Sequence, residues 1–456
     1  RTRALVEAAE AATALGRFDQ AEEDFAVTLR EYQGDDTARG ETLARLSRLP
    51  TRHGEDALGL LREAIDLLER EGPGPELARA YTRMAAHLYV AGQSGEPIPW
   101  AERAIALADE LGLEDEEVLA SQYRGAARSA VGDRGGLEDL REALRRGLEL
   151  GLGEETAVAY NNLAYALQAW EGPSAASPVW AEMGEFCRAR GFTTMAIWAE
   201  GGALEALFDL GDWDRVLGIA GDMLAWERAH AATRVGTVAL VFRSWVYLRR
   251  DELEPVAQTA DELLSRARDI RYAEYLAPSL LVVAELRFRR GDPEAAAALV
   301  DEFLEVTADQ PEYRRTFLPV AVRLLLRLGR DERARAIVEA AGTPASTRQE
   351  LSLLTCQAVL AEHGGDLEAA LELYERCVAA WTGYGFPLER GRSLLGQGRC
   401  LLGLRRTGEA AEVLRKARDT MQLLGAKGFM AEAEELLGRA ASQAVSASSS
   451  SPNATT

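Results

Sequence analysis

Residues 352–380 show a helical period of apolar positions that breaks once and then resumes. In the first half, apolar side chains such as Ala358 recur every three or four residues, the spacing that lines one face of an α-helix. Gly365 can adopt the positive φ that ends a helix, and Asp366 offers an acceptor to the free N–H groups that open the next helix. The same period then returns with Ala370 on the apolar face. The stretch therefore predicts a hairpin of two helices joined by a tight turn.

Comparable turn residues recur along the whole chain at intervals of 36 to 40 residues. Such regular spacing is typical of repeat proteins, in which each unit buries its apolar face against the next one. The spacing therefore predicts eleven stacked helical hairpins. We refer to these residues as the turn markers, and they are Gly16, Gly54, Gly92, Gly132, Gly172, Gly211, Asp251, Gly291, Gly329, Gly365 and Gly403.

The hairpins resemble the tetratricopeptide repeat (TPR), which places a small residue before the turn and an alanine and an aromatic residue after it. Around Gly365 these places hold Ala358, Ala370 and Tyr374. The resemblance implies an all-α, right-handed superhelical solenoid of about eleven TPR-like hairpins with a C-terminal capping helix. The same positions recur in other hairpins. The small residue before the turn recurs as Ala9, Ala85, Gly125, Ala284 and Gly396. The alanine after the turn recurs as Ala21, Ala296 and Ala334, and the aromatic residue recurs as Phe25.

The pattern divides the chain into three parts. We expect residues 1–427 to form the TPR-like array, and residues 428–445 to form the capping helix over the last hairpin. Residues 446–456 are polar, rich in serine and low in complexity, which predicts a disordered tail.

The last two hairpins are similar in residue detail to the repeat region of large bacterial signal-transduction ATPases. This group includes the maltose-regulator-like transcription activators and the cyclase-linked ATPases. The similarity lies in residues 377–402 and 408–437. In that family the repeats sense an effector or a partner protein and restrain a nucleotide switch, so the resemblance implies a sensor role. The activators end in a helix-turn-helix, whereas only the serine-rich stretch follows the last predicted helix here, so we expect no DNA binding.

Composition favours helices and disfavours nucleic acid as a partner. Apolar residues make up 47% of the chain and are mostly alanine and leucine, which favour helix over strand. Acidic residues outnumber basic ones by 73 to 52, and the formal net charge of −21 opposes binding to a phosphate backbone. No apolar run approaches the roughly 18 residues that span a bilayer. The opening residues also lack the apolar core of a secretory signal, so we expect a cytoplasmic protein that avoids membranes.

The sequence contains no recognisable catalytic or metal-binding motif. It has no glycine-rich phosphate loop of the G-x-x-x-x-G-K-[ST] type and no G-x-S-x-G nucleophile elbow. Its four histidines lie far apart, and its four cysteines lack the spacing of zinc ligands or of a disulfide framework. We therefore predict a protein that is not an enzyme, that binds no metal or cofactor, and whose cysteines are free thiols.

Tryptophan is unevenly distributed, with six of the eight tryptophans between residues 170 and 245. These side chains either fill gaps between long helices or present aromatic planes to a ligand, and the sequence leaves both alternatives open. In TPR proteins the first helix of each hairpin lines the concave groove, thirteen, ten, six and three residues before the turn. Counted from the turn markers, this register selects seven candidate groove residues: Trp198, Glu205, Phe208, Trp245, Glu285, Phe288 and Arg323. Three more, Asn161, Tyr165 and Gln168, follow when Ala164 is taken as the small residue of the preceding hairpin.

The sequence as a whole predicts a regulatory or interaction module that binds a protein, a peptide or a small effector in its groove. The resemblance makes the sensor part of a bacterial signalling or transcription regulator the leading interpretation. An enzyme or biosynthetic accessory protein that uses the groove as an active site is the alternative. A scaffold that binds through its convex surface is a third reading, and self-association into a homo-oligomer is left open.

Overall fold

The computed structural model describes residues 2–14, 17–32, 34–49, 55–93, 95–230 and 234–449. Within these ranges the chain forms 24 α-helices and no β-strand, which confirms the prediction of an all-α fold. The turn markers Gly16 and Gly54 lie outside the described residues.

The helices belong to two compact units, Arg1–Leu163 and Ala164–Thr456. The first unit contains α1 (Thr2–Ala14), α2 (Phe18–Glu31), α3 (Asp36–Leu46), α4 (Glu55–Glu71), α5 (Pro75–Val90), α6 (Pro97–Leu111), α7 (Glu114–Ala130), α8 (Gly136–Glu149) and most of α9 (Glu154–Trp170). The second unit continues with α10 (Pro173–Ala189), α11 (Thr193–Leu210), α12 (Trp213–Ala229), α13 (Arg234–Arg249), α14 (Leu253–Ala257), α15 (Ala260–Ile270), α16 (Ala273–Arg289), α17 (Pro293–Val306), α18 (Pro311–Arg327), α19 (Asp331–Glu339), α20 (Thr347–His363), α21 (Leu367–Tyr384), α22 (Pro387–Gly403), α23 (Thr407–Leu424) and α24 (Lys427–Ser449).

The turn markers explain why the helices end where they do. Eight of them, from Gly92 to Gly365, have positive φ angles between 66° and 97°. Glycine reaches this left-handed conformation without a steric penalty because it has no Cβ atom. Asp251, with a φ of 66°, is the marker in this set that is not glycine, and aspartate tolerates the conformation better than most residues.

The structure corrects the last turn marker. Gly403 is the final residue of α22, and Arg405 takes the positive φ of 59° instead. Counted from Arg405, the alanine five residues after the turn is Ala410, which is fully buried. The prediction of Gly403 was wrong because an arginine carries no sequence signal for a left-handed turn, whereas a nearby glycine does.

The same correction reassigns the small residue of that hairpin from Gly396 to Gly398. A Cβ atom on Gly398 would lie 2.3 Å from the Leu414 side chain of α23, so the absence of a side chain lets α22 and α23 approach closely. Gly396 faces the preceding hairpin, because a Cβ atom there would lie 2.2 Å from the Tyr374 ring. Two glycines in one helix therefore serve two different interfaces.

The first helices of successive hairpins pack side by side in the second unit. Helix α11 contacts α13, and the contacts continue through α16, α18, α20 and α22 to α24. We call these seven helices the inner row. The second helices of the hairpins each pack against their own partner in the inner row, as α17 does against α16 and α21 against α20. This two-layer packing buries the apolar faces that the sequence pattern predicted.

Three of the six tryptophans between residues 170 and 245 belong to the core of the second unit. Trp180, Trp213 and Trp245 are buried, and the indole N–H of Trp213 donates to the carbonyl oxygen of Phe208 at 3.1 Å. Trp198 differs, with 41% of its surface exposed. Gap filling therefore accounts for these three buried tryptophans, and Trp198 is available at the surface.

The chain ends with α24, which packs against α22 and α23. The helix continues through residues 446–449, which the sequence pattern placed in the tail, and residues 450–456 lie outside the described residues. The role of α24 as a cap and the division of the chain at residue 427 stay predictions.

Candidate functional site

A buried polar cluster joins the first helices of the second unit to α20 and α21. Arg348 of α20 and the side-chain amide of Gln168 donate to the Asp209 carboxylate at 2.8 Å and 2.9 Å. The Tyr384 hydroxyl donates to the carbonyl oxygen of Gln168, 216 residues away in the sequence. A Cβ atom on Gly172 would lie 2.2 Å from the Tyr384 carbonyl oxygen, so only glycine permits this approach. We call Gln168, Asp209, Arg348 and Tyr384 the closing cluster, because they join α9 and α11 to α20 and α21.

In the closing cluster, burial and the opposite charge of the partner act in opposite directions on the pKa of Asp209 and on that of Arg348. Burial raises the pKa of Asp209, the Arg348 guanidinium opposes that rise, and the nearby Glu205 carboxyl adds to it. Burial would lower the pKa of Arg348, but the Asp209 carboxylate raises it above its ordinary value. The Arg348 guanidinium also lies 4.5 Å from the centre of the Phe386 ring. The pair is therefore held in a partly aromatic environment, where an unpaired charge would be costly.

A cavity of about 660 Å³ lies along the inner row of the second unit. Six inner-row helices line it, namely α13, α16, α18, α20, α22 and α24. Among the lining residues, Tyr374 of α21 comes from a second helix. The cavity is therefore built almost entirely from rigid helices of a single layer.

The cavity wall is basic, in contrast to the acidic chain. Six arginines line it against three glutamates. Asp251 and Glu389 lie outside the lining but pair with lining arginines, so the arginines outnumber the neighbouring carboxylates by one. The chain as a whole carries a formal charge of −21. The arginines are Arg249, Arg289, Arg323, Arg327, Arg392 and Arg399, and the glutamates are Glu285, Glu362 and Glu432.

Glu389 lies behind the wall and fixes two of these arginines. Arg323 donates to both oxygens of Glu389 at 2.7 Å, and Arg392 donates at 3.3 Å. Burial would raise the pKa of Glu389, but the Arg323 and Arg392 guanidiniums hold it at about 2. Burial and the nearby Arg323 together lower the pKa of Arg392 to about 9. One carboxylate therefore serves two buried guanidiniums, and Arg392 is incompletely compensated.

Two further arginines have unused binding capacity. Arg249 is 4% exposed and donates one N–H to Glu285 at 2.7 Å, but its buried Nε has no hydrogen-bond partner. A buried donor without an acceptor costs about 1–3 kcal/mol. Arg327 forms no ion pair with the described residues, and its guanidinium lies 4.3 Å from the centre of the Phe288 ring. The wall thus contains donors that the protein itself does not satisfy.

Other kinds of site have no counterpart in the described part of the chain. No group of three or more His, Cys, Asp and Glu side chains is placed there to hold a metal ion. No helix in those ranges is both long and apolar enough to cross a membrane. The four cysteines are buried and form no disulfide.

No family model and no curated protein matches this sequence. Among solved structures, the APC/C hetero-tetramer Cut9–Hcn1 matches 96% of this chain over 96% of its own, at 12% identity and a TM-score of 0.50. A signal-transduction ATPase with a tetratricopeptide-repeat sensor, from Pyrococcus horikoshii, matches 74% of this chain over 50% of its own, at 13% identity and a TM-score of 0.44. The apo quorum sensor NprR from B. thuringiensis matches 86% over 99%, at 13% identity and a TM-score of 0.40.

This chain has the tetratricopeptide-repeat fold. The resemblance predicted from its hairpins is confirmed, and the inner row corresponds to the first helices of the TPR units. At these identities the match shows the fold alone.

The TPR register brings four of the ten predicted groove residues to the cavity. Glu285 and Arg323 line it directly, six residues before their turn markers. Trp245 and Phe288 each lie beneath the guanidinium of a cavity arginine, at 4.8 Å and 4.3 Å from the ring centre. Trp245 is itself buried, so it supports Arg249 from below.

Three other predicted residues lie at or beside the closing cluster. Gln168 belongs to it, and buried Phe208 packs edge-to-face against Phe386 with ring centres 6.3 Å apart. Glu205 is half-buried, and this burial raises the pKa of its carboxyl group, although the Arg348 guanidinium opposes the rise. These residues therefore meet one another, but they lie outside the cavity lining.

The remaining three predicted residues are not brought to the cavity. Tyr165 packs edge-on against Trp180 with ring centres 4.9 Å apart, and Trp198 lies exposed on α11. Asn161 belongs to the first unit, where its side-chain amide donates to Asn162 at 3.2 Å. A role for these residues in ligand binding stays a prediction.

Sequence reasoning missed cavity residues that the same register contains. Val359 and Glu362 lie six and three residues before Gly365. Arg392 and Arg399 lie thirteen and six residues before Arg405, but they are out of register when counted from Gly403. Extending the register to the last hairpins, with the correct marker, would have found them.

A second missed group occupies a position that the register omits. Arg249, Arg289, Arg327 and His363 each lie two residues before their turn marker, and all four line the cavity. A basic residue in the last turn of a helix is favoured by the helix dipole, so each one alone looks structural. Their recurrence in four consecutive hairpins was the available signal.

Proposed function

We propose that the chain is a non-catalytic regulatory module that binds a small effector, or a short segment of a partner protein, in the cavity of the inner row. The observation that carries this proposal is the convergence of six inner-row helices on one cavity of about 660 Å³. Cavities of roughly 300–1,000 Å³ with a few convergent polar groups are typical ligand sites. Helical walls also hold such groups more rigidly than loops do.

The cavity couples distant parts of the second unit, which suits a sensor. Its lining runs from Leu248 of α13 to Glu432 of α24, across five hairpins and the helix that follows them. A ligand that contacts both ends would stabilise one arrangement of these hairpins over others, by the difference in its affinity for them. Binding could then be transmitted to whatever contacts the outer layer.

Sequence resemblance supports a more specific role for this module, as the sensor part of a bacterial signalling or transcription regulator in the cytoplasm. Residues 377–402 and 408–437 carry the resemblance to the repeat region of signal-transduction ATPases. These segments contribute Arg392, Arg399 and Phe429 to the cavity wall. The part of the chain that resembles known sensors is therefore part of the candidate site.

The alternatives from the sequence gain no specific support. An active site in the groove and a scaffold that binds through its outer surface stay untested, as does a homo-oligomer. The outer-surface scaffold is an outcome of the experiment below.

Two tryptophan substitutions on one helix test whether the cavity is the binding site. Gly428 lines the cavity, and a Cβ atom there meets nothing within 4 Å, so Gly428→Trp should obstruct the cavity without a clash. Gly438 is equally open and lies on the same helix away from the cavity, so Gly438→Trp is the matched control.

The measurement is a thermal-shift screen of metabolites and peptides with wild type and both variants, followed by calorimetry on each hit. We expect hits that Gly428→Trp abolishes and Gly438→Trp retains. Hits that survive Gly428→Trp unchanged would place binding on another surface and overturn the proposal.

A further inference from the structure

The arginines that line the cavity offer more hydrogen-bond donors than the acceptors of the protein satisfy. Arg249 is almost completely buried, and it donates a terminal N–H to Glu285. Its Nε has no acceptor among the protein groups that the structure describes. Native proteins satisfy nearly all buried polar groups, so an unpaired buried donor at a cavity is a position where an acceptor from a ligand would be stabilised. The partner that Arg249 lacks is a hydrogen-bond acceptor.

The acceptor must also carry negative charge. Arg327 has no ion pair with the described residues, and Arg392 shares the single carboxylate of Glu389 with Arg323. Asp251 and Glu389 offset two of the three surplus arginines on the lining. A neutral ligand would therefore leave Arg327 unpaired and Arg392 with only a share of one carboxylate. Planar guanidiniums bind phosphate and carboxylate oxygens through paired hydrogen bonds, so an oxyanion suits both the charge and the geometry.

Apolar side chains occupy the rest of the wall. Leu326, Val359, Leu395 and Phe429 line the cavity between the arginines. Each would lose solvent contact against an apolar or aromatic group of a ligand. A simple inorganic ion would leave these surfaces in water, and an oligonucleotide would exceed a cavity of about 660 Å³.

The geometry points to a small organic dianion, a phosphate monoester or a dicarboxylate with an apolar or aromatic body, as the ligand of this cavity. The acidic group contacts Arg249, Arg327 and Arg392, and the body packs on Val359 and Phe429. This inference rests on the proposed function and specifies the ligand class. The net negative charge of the chain opposes it only weakly, because charges beyond about 8 Å are screened at physiological salt.

Four probes that share a benzene ring separate charge from shape. Phenyl phosphate and phenylsuccinate are dianionic at a pH of about 7.5, benzoate carries one charge, and benzyl alcohol carries none. Isothermal titration calorimetry on the full chain should show binding of at least one dianion, about tenfold or more above benzoate, and none for benzyl alcohol. The two dianions distinguish a phosphate ligand from a dicarboxylate. Inorganic phosphate tests whether the ring contributes.

Two variants locate the bound anion. Arg327→Met removes an exposed guanidinium that forms no ion pair with the described residues, so folding should be preserved and affinity for the dianion should fall about tenfold. Arg249→Lys keeps the charge beside Glu285 but removes the Nε donor, and it should also weaken binding. Arg335→Met, on the outer helix α19, is the control and should leave affinity unchanged.

Each outcome has a definite meaning. Dianions that bind no better than benzoate, or that bind equally well to Arg327→Met and Arg249→Lys, overturn the inference. If dianions fail but Gly428→Trp abolishes a neutral or cationic hit, the ligand class is wrong and the proposed function stands. If no hit of any class responds to Gly428→Trp, the proposed function itself falls.

Discussion

Glu389 should make the unfolding free energy of the second unit depend on pH, and the substitution Glu389→Gln should remove that dependence. The carboxylate is 8% exposed and receives hydrogen bonds from Arg323 and Arg392. Burial would raise its pKa, but these two guanidiniums hold it at about 2, against an ordinary value of 4.5. Because each tenfold change in proton affinity is worth about 1.4 kcal/mol, the pairing corresponds to about 3 kcal/mol of unfolding free energy at neutral pH.

The sign of the pH dependence follows from the direction of the shift. A carboxyl group whose pKa is lower in the folded state binds its proton more tightly after unfolding. Its contribution is therefore fully present above a pH of about 4.5 and is lost as the pH falls towards about 2. Glu389→Gln lacks this contribution at every pH.

Urea unfolding, followed by tryptophan fluorescence between pH about 3 and pH about 7, measures this difference. At neutral pH, Glu389→Gln should lower the unfolding free energy by about 3 kcal/mol, because it leaves Arg323 and Arg392 without their carboxylate. The difference from wild type should shrink as the pH falls. Glu412→Gln is the control, because Glu412 is exposed and paired with Lys416 on the surface, so its loss should leave the unfolding free energy nearly unchanged. A difference between Glu389→Gln and wild type that is the same at both pH values would refute the reasoning.

Three further predictions concern packing, closure and the thiols. Gly398→Ala should lower the free energy of unfolding, measured in urea, by about 1–3 kcal/mol, because its Cβ atom would lie 2.3 Å from the Leu414 side chain. Gly438→Ala, whose Cβ atom would lie in open space, should instead raise the free energy of unfolding by about 0.5–1 kcal/mol. Tyr384→Phe leaves the buried carbonyl of Gln168 without its donor and should cost about 1–3 kcal/mol, with faster amide exchange in α21; unchanged exchange there would contradict a closing role. The four buried cysteines, whose thiol pKa values are raised by burial, should react with a thiol reagent only after unfolding, and rapid reaction of any native thiol would contradict their placement.

The hairpin array was predictable because its signals are local. Helical periodicity and a residue that tolerates positive φ fix one hairpin at a time, and Asp251 could be recognised as a marker although it is not glycine. Arg405 could not be recognised, because only its place in the folded turn gives arginine a φ of 59°. That error shifted the register of the last hairpin and concealed Arg399.

The cavity was predictable only in part. Glu285 and Arg323 follow from the position of a residue on its own helix, which the sequence specifies. The pairing of Asp209 with Arg348 joins residues 139 apart, and it depends on small rotations that accumulate over the intervening hairpins. The periodicity of the sequence does not specify the total rotation between distant hairpins, so the closing cluster could be identified only from the structure.

A crystal structure of the full chain with phenyl phosphate tests the central claim, that the arginine wall of the inner row is a binding site. We predict a phosphoryl group within hydrogen-bond distance of the Arg249 Nε and the Arg327 guanidinium, with the ring against Phe429. A phosphoryl group bound by the outer helices, with the cavity holding only water, would contradict the account.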